Sequence, residues 1–346
     1  MTISNRLKQS SEWGAVCRPD SAQPLQLETV KCCICGTEEV EPLAVGEDFE
    51  YRTSPDFFLA VQCRRCRLVY LSPRPALTEF DRIYPPDYHA FDFSADQFGL
   101  AYRVRRWLEA RRLLACCQSL GPRARILDVG CGDGFHLSLL KQFGKPSWQL
   151  EGVDASERAV EAGRKAGLTI HLGTVQAADL PAASYDLAFL IATIEHVDNP
   201  TEVLAAVRRL LRPGGRVVIV TDNTDAWDFH LFKRRYWGGY HFPRHWTLFN
   251  SANMRTLAQA VEMEVVQLTT VVSPVNWVYS IRNALVDWRA PGWLVRQFSL
   301  KSTLSLGVFT LFDMVLQKLG RGALMRATLQ RPQGSLPEES TQRLRG

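Results

Sequence analysis

The sequence has no apolar run long enough to cross a bilayer. The best candidate, Leu304 to Leu316, is short and is interrupted by Asp313, whereas a spanning helix needs roughly 20 apolar residues. Met1 to Asp20 also lacks the apolar centre of a secretory signal, since Arg6, Lys8, Glu12 and Arg18 break it up. No internal repeat and no low-complexity tract occurs, which argues against repeat architectures and disordered arrays. Charge of one sign is scarce: a net +5 over 346 residues, spread along the chain, is a weak case for an anionic partner. A disulfide framework is missing too, because the nine cysteines are grouped rather than dispersed through a small domain. Together these absences lead to the expectation of a soluble protein of the reducing cytoplasm. What remains is ordinary globular composition, with 46% hydrophobic and 22% charged residues, and enough length for one large domain plus a smaller one.

Composition divides the chain. Residues 1–28 are polar and aperiodic and read as a flexible lead-in. Residues 29–90 are rich in Cys, Pro and aromatics, residues 91–331 alternate between strand and helix patterns, and 332–346 form a polar tail. An Arg-rich amphipathic helix is expected over Phe98 to Leu120, with Leu100, Val104, Trp107, Leu108 and Leu113 on its apolar face. Apolar runs at Arg125–Val129, Gln149–Val153, Leu168–His171, Leu187–Ile191, Arg216–Val220, Glu262–Val271 and Ala323–Gln330 predict seven strands. Helical patterns between most of them predict an α/β fold with a doubly wound sheet. Asn199 is placed to cap a helix, Pro200 to open it and Pro213-Gly214 to stop it, with Val203, Leu204, Val207, Leu210 and Leu211 buried.

The strongest chemical signal is Ile126-Leu127-Asp128-Val129-Gly130-Cys131-Gly132-Asp133-Gly134, which follows a predicted strand and opens a predicted helix. The spacing is G-x-G-x-G, not the G-x-G-x-x-G of a dinucleotide turn, and Asp128 suits an ammonium group better than a phosphate. Asp154, at the end of the next strand, stands where an acid accepts hydrogen bonds from ribose hydroxyls. Earlier in the chain, Cys32-x-x-Cys35 and Cys63-x-x-Cys66 are two knuckle-like pairs whose four thiolates can enclose one structural zinc with no open coordination position.

With Leu211-Arg212-Pro213-Gly214-Gly215 before the fifth strand, these residues resemble a class I S-adenosylmethionine-dependent methyltransferase over roughly 210 residues. The resemblance implies a Rossmann-like seven-stranded sheet with S-adenosylmethionine as cofactor. It further implies that Gly130, Cys131, Gly132 and Gly134 line the methionine part and Asp128 holds its amino group. Asp154 and Ala155 would then meet the ribose, and Thr174, Val175, Gln176 and Ile191 would border the adenine. Ile194-Glu195-His196-Val197-Asp198-Asn199-Pro200 is similar to the branch containing the ubiquinone O-methyltransferases, some of which carry a metal-binding E-x-x-E-H box. Ala192 stands where the first Glu would be, and two ligands do not close a divalent site, so Glu195 and His196 are expected to shape the floor. Segment 32–75 resembles the zinc-ribbon-like front end of bacterial small-molecule methyltransferases. Cys33 occupies the place usually taken by Pro, which favours Cys32 as ligand, and Arg67 replaces a customary Gly.

The segment Asp222 to Asn250 follows the fifth strand and is expected over the cofactor. In it His245 or His241 is the candidate general base, and Arg244 a candidate partner for an anionic acceptor; a wall of packed aromatics is the plainer reading. An insertion at 273–320 is expected to cover the acceptor pocket, with a dimer face or peripheral membrane contact as alternatives. Asp313 and the sparse basic residues around it argue against strong membrane binding. The expected function is methyl transfer to an O, N or C atom of a small molecule such as a sugar, lipid-linked precursor or secondary metabolite. An RNA methyltransferase would call for a clustered basic face, of which Arg64, Arg65 and Arg67 are a small instance. A cofactor-binding regulator or scaffold is the reading from another class.

Overall fold

The computed structural model describes residues 23–85 and 95–334, with side chains from Arg106 onward in the first long helix. Most of the lead-in and of the tail, and the positions of Leu100 and Val104, lie outside the described side chains.

The chain begins with short strands: β1 (Leu27–Glu28), β2 (Val40–Gly46), β3 (Phe58–Cys63), β4 (Val69–Leu71) and β5 (Arg74–Pro75), the last paired antiparallel with β1. A single turn α1 (Phe80–Ile83) and the long α2 (Ala95–Cys116) precede β6 (Arg125–Val129). Then come α3 (Phe135–Phe143), β7 (Gln149–Asp154), α4 (Glu157–Lys165), β8 (Thr169–Leu172), β9 (Tyr185–Ile191), α5 (Pro200–Leu210) and β10 (Leu211–Asp222). The remainder is α6 (Trp227–Phe232), β11 (Thr247–Leu248), α7 (Ser251–Ala260), β12 (Glu264–Val271), α8 (Val275–Asp287), α9 (Gly292–Gln297), α10 (Thr303–Lys318) and β13 (Leu324–Gln330).

A seven-stranded sheet runs β12-β13-β10-β9-β6-β7-β8. Six strands run in one direction, and β13 runs antiparallel between β10 and β12. From β6 the chain winds outward through β7 and β8, then crosses back to β9 and β10. The switch point therefore lies between the carboxyl ends of β6 and β9, where open α/β sheets bind ligands. The start of α5 is as the sequence suggests: the Asn199 carboxamide oxygen accepts from the Thr201 and Glu202 amides, Pro200 opens the helix, and Val203, Leu204, Val207 and Leu210 are buried. Its end is earlier than Pro213-Gly214, since Leu211, also buried, already begins β10.

The first long helix departs from expectation. Trp107 and Leu108 are exposed, and the face turned to the core is Ala110, Leu113 and Cys117. Arg111 covers the Trp107 ring at 4.6 Å from its centroid, so the indole is shielded by a guanidinium rather than by the core.

The cysteine-rich segment makes a second sheet, and this one is not local. Its order is β11-β4-β3-β2, so its outer strand comes from the far side of the chain, with Thr247 opposite Tyr70 and Leu248 opposite Val69. Phe58 and Leu71 pack there with Phe229, Trp237, Tyr240 and Phe242 of the segment after β10.

Candidate functional site

The turn between β6 and α3 is built by three glycines in the left-handed region, Gly130, Gly132 and Gly134, a conformation that side chains with a Cβ rarely take. They do different things. A Cβ on Gly130 would sit 2.4 Å from the Thr193 methyl, and one on Gly134 would sit 2.3 Å from Leu168, so both are fixed by packing. A Cβ on Gly132 would meet nothing within 4 Å, so its main chain borders open space. Cys131 points its side chain into the core with Leu137, Val160 and Ile170, leaving only its backbone to face a ligand.

Two carboxylates flank the turn. Asp154 accepts the Gly132 amide at 2.7 Å and the Ser156 amide at 2.8 Å; it thus braces the turn, and burial still holds its carboxyl above the usual range. Asp128 is buried, and its Oδ2 has no hydrogen-bond partner among the described residues. The His136 Nδ1 lies 3.7 Å from that oxygen, beyond hydrogen-bond range. A buried carboxylate oxygen without a donor is unfavourable in isolation, and a cationic group placed beside it would satisfy it. Ala155, Thr174 and Gln176 are exposed near the β7 and β8 ends, Val175 is buried and Ile191 is half-buried.

On the other side of the switch point, four segments converge. His245 Nδ1 donates to the Gly239 carbonyl at 2.8 Å and lies 3.0 Å from Asp222 Oδ2. Burial alone would lower its pKa, but the Asp222 bond and charge and the Glu195 charge outweigh it, so the imidazole stays above the usual histidine value. His196 packs edge-on against it at 4.6 Å between ring centroids. Its Nδ1 donates to the Arg244 carbonyl at 3.1 Å, with the Tyr84 hydroxyl 2.8 Å away. Burial pushes the Glu195 carboxyl up to about 7, while Thr221 donates to it at 2.9 Å. Glu195, His196 and His245 each place a ligating atom within 4.8 Å of the others. The sequence placed Glu195 and His196 side by side but gave no sign that His245 would join them.

His241 has a different environment. Its ring, 2.8 Å from Glu50, lines a small cleft with Phe49, Arg235 and Tyr279, and burial holds its pKa down to about 4 against the pull of Glu50. Arg244 does not face an acceptor. It is fully buried, bidentate to Asp48 at 3.1 and 2.9 Å, with its Nε donating to the Ile83 carbonyl at 2.6 Å. Three donors from Tyr51 and Thr53 complete the Asp48 carboxylate. The guanidinium therefore ties the loop to the cysteine-rich segment, a partner 196 positions away that no local pattern announces.

That segment ends in the four expected thiols. Cys32 and Cys66 are 3.4 Å apart between sulfurs, Cys35 and Cys63 3.5 Å, and Cys35 and Cys66 3.8 Å, close to the roughly 3.8 Å edge of a tetrahedron with zinc–sulfur bonds of about 2.3 Å. Cys33 is outside the group; its carbonyl accepts from Thr201. After each pair the chain turns through the left-handed region, at Gly36 and again at Arg67. Asn253 of α7 donates to the Cys66 carbonyl at 2.6 Å. The cluster is held against the large sheet, and β4 carries that connection to Trp246, whose amide donates to the Glu195 carbonyl at 2.8 Å while its carbonyl accepts from Leu71 at 2.9 Å.

The methyltransferase-domain family model matches residues 100–268, which contain the glycine turn, Asp154, Glu195 and His245. Over those residues the chain is similar to that methyltransferase-domain family. Its similarity to a ubiquinone biosynthesis O-methyltransferase from Thiobacillus denitrificans is 32% identity over 133 residues, 36% of this chain and 53% of that one. An uncharacterized 37.1 kDa protein of a Streptomyces fradiae transposon is 34% identical over 110 residues, 30% of this chain and 32% of that protein. The chain thus spans about a third to a half of the length of the curated relatives it matches. A solved SAM-dependent methyltransferase from Thermotoga maritima overlaps 67% of this chain and 96% of its own at 20% identity, with a TM-score of 0.42. The methyltransferase domain matched here covers neither the cysteine cluster nor α8 to α10, so both lie beyond what the family model describes.

Proposed function

We propose that the protein transfers a methyl group from S-adenosylmethionine to an O, N or C atom of a small-molecule acceptor. The observation that carries this reading is the donorless oxygen of buried Asp128 at the switch point, beside the open face of Gly132. The cofactor's ammonium fits that oxygen, its ribose the neighbourhood of Asp154 and Ala155, and its adenine the Thr174–Gln176 segment and Ile191. The bound sulfonium supplies the methyl group. Positioning contributes much of such a displacement. Asp222 and Gly239 hold the His245 tautomer with Nδ1 protonated, which leaves Nε2 to take the acceptor's proton. Calorimetry tests the cofactor assignment: S-adenosylmethionine should bind and NAD should not, and preferential NAD binding overturns the reading.

The three-residue convergence favours a second use of the same side chains. A divalent cation held by Glu195, His196 and His245 would polarise an acceptor hydroxyl. Both imidazoles already have their Nδ1 atoms engaged, as metal-ligating histidines do. Turnover lost in EDTA and restored by Mg²⁺ supports the cation; turnover indifferent to EDTA supports the base.

The four thiols fit a structural zinc whose role is to hold β4, and through it the His245 segment. One zinc per chain is expected by elemental analysis, retained in Cys33→Ser and lost in Cys35→Ser. A fully folded chain without metal would count against it.

A further inference from the structure

The helix α10 is apolar on the side turned to water as well as on part of the side turned to the protein, where Leu316 is buried and Phe309 stacks on Trp277. Its inward face carries Ser305, Asp313 and Leu316, all buried. Asp313 accepts the Ser273 amide at 2.8 Å, the Ala323 amide at 3.2 Å and the Trp277 indole at 3.4 Å, so its bonding is internal. Its outward face carries Leu304, Val308, Leu311, Val315 and Leu319, between 54% and 72% exposed. Their spacing of four, three, four and four residues forms one continuous stripe, flanked by exposed Phe312 and Met314. A surface helix in water ordinarily shows the opposite pattern, and a contiguous apolar stripe of this kind marks an interaction surface. Among the described residues nothing covers it.

The surroundings say what it faces. From Trp288 to Arg321 the sequence has one acidic residue, the buried Asp313, and five basic ones: Arg289, Arg296, Lys301, Lys318 and Arg321. All five are exposed, as are the indoles of Trp288 and Trp293. An apolar stripe rimmed by cations and tryptophans is the pattern of a helix lying in the plane of an anionic bilayer. At 16 residues, α10 is about 24 Å long, and no described helix is long and apolar enough to cross a membrane. Pairing with a second copy about a two-fold axis would bring the same cations together, which opposes it. Sequence reading set Asp313 and the sparse basic residues of the second half against strong membrane binding. The burial of Asp313 removes the first objection, and exposed Arg289 and Arg296, from the first half of the insertion, add cations that the second half lacks.

We propose that α9 and α10 form a docking surface for anionic phospholipid, with the Leu304–Leu319 stripe entering the headgroup boundary. The surface stands independently of the methyl-transfer reading. The test is flotation of the full chain with vesicles of phosphatidylcholine alone and of phosphatidylcholine with phosphatidylglycerol. Binding to the anionic vesicles is expected, weakened in 0.5 M salt by about the extent that screening removes surface attraction. The double variant Leu311→Glu, Val315→Glu changes only exposed side chains and should raise the lipid concentration for half-binding by at least about tenfold. Phe143→Glu, on α3, is the control and should bind as before. Three results overturn the proposal: no flotation with anionic vesicles, flotation unchanged in the double variant, or a solution dimer that the double variant dissociates while vesicles are ignored.

Discussion

The two sides of the switch point are made in opposite ways. The cofactor side is contiguous: β6, the glycine turn and the start of α3 occupy consecutive residues, and Asp154, the main partner from elsewhere, comes from the adjacent strand. The acceptor side is assembled from remote pieces, with Glu195 and His196 after β9, Asp222 at the end of β10, His245 before β11, and Tyr84 and Asp48 from the cysteine-rich segment. The difference teaches where constraint resides. A turn can be specified by its own residues; a convergence has to be specified by everything that holds its parts in place.

The comparison can be broken at several points. The largest effect should come from His245→Ala, which lowers kcat by roughly 10²–10⁴ if the imidazole is the base, with the cofactor dissociation constant unchanged. A base works unprotonated, so kcat/KM should rise with pH through a midpoint above the usual histidine value, because Asp222 and Glu195 hold the proton on. Asp222→Asn should move that midpoint down. A midpoint that stays put in Asp222→Asn separates the imidazole from the pH dependence.

Next comes the tie between the segments. Arg244→Met leaves Asp48 buried without its cation and should destabilise the fold by about 3–5 kcal/mol, measured by urea unfolding at neutral pH. Burial would raise the Asp48 carboxyl, but Arg244 and the surrounding donors hold it below the usual aspartate value. Its contribution is therefore present above the unfolded carboxylate pKa and lost as pH falls through the folded one. The gap between wild type and Arg244→Met should narrow as the pH drops below about 4. The smallest effect belongs to the contiguous side. Asp154→Ala should weaken S-adenosylmethionine binding by about 1–3 kcal/mol, the scale of bonds to a charged group, and leave the His245 pH midpoint in place. A large shift of that midpoint would show that the two sides are not separable.

What could be read from the sequence follows the same division. The seven strands, the Asn199 cap, the buried face of α5 and the glycine turn were legible because each signal occupies a few neighbouring residues. The short strand β11 was not: Thr247 and Leu248 give no strand pattern, and their partners lie some 180 positions earlier. Arg244 was misread for a related reason. An arginine near a histidine in a loop suggests an exposed cation, and only the folded chain supplies Asp48 beneath it. Trp107 and Leu108 were assigned to a buried stripe because their spacing allows one, yet the helix turns Ala110 and Leu113 inward instead.

The strand β11 also sets an order of events. Until residue 248 has left the ribosome, β4 has an unpaired edge, and the sheet that frames the four thiols is incomplete. An unpaired edge strand is a template for wrong partners, and non-local pairing is slow to form. The strand β4 therefore waits, during synthesis, for more than 170 residues that follow it. A sheet begun early in the chain is thus completed late, and a fragment ending before β11 carries that open edge permanently.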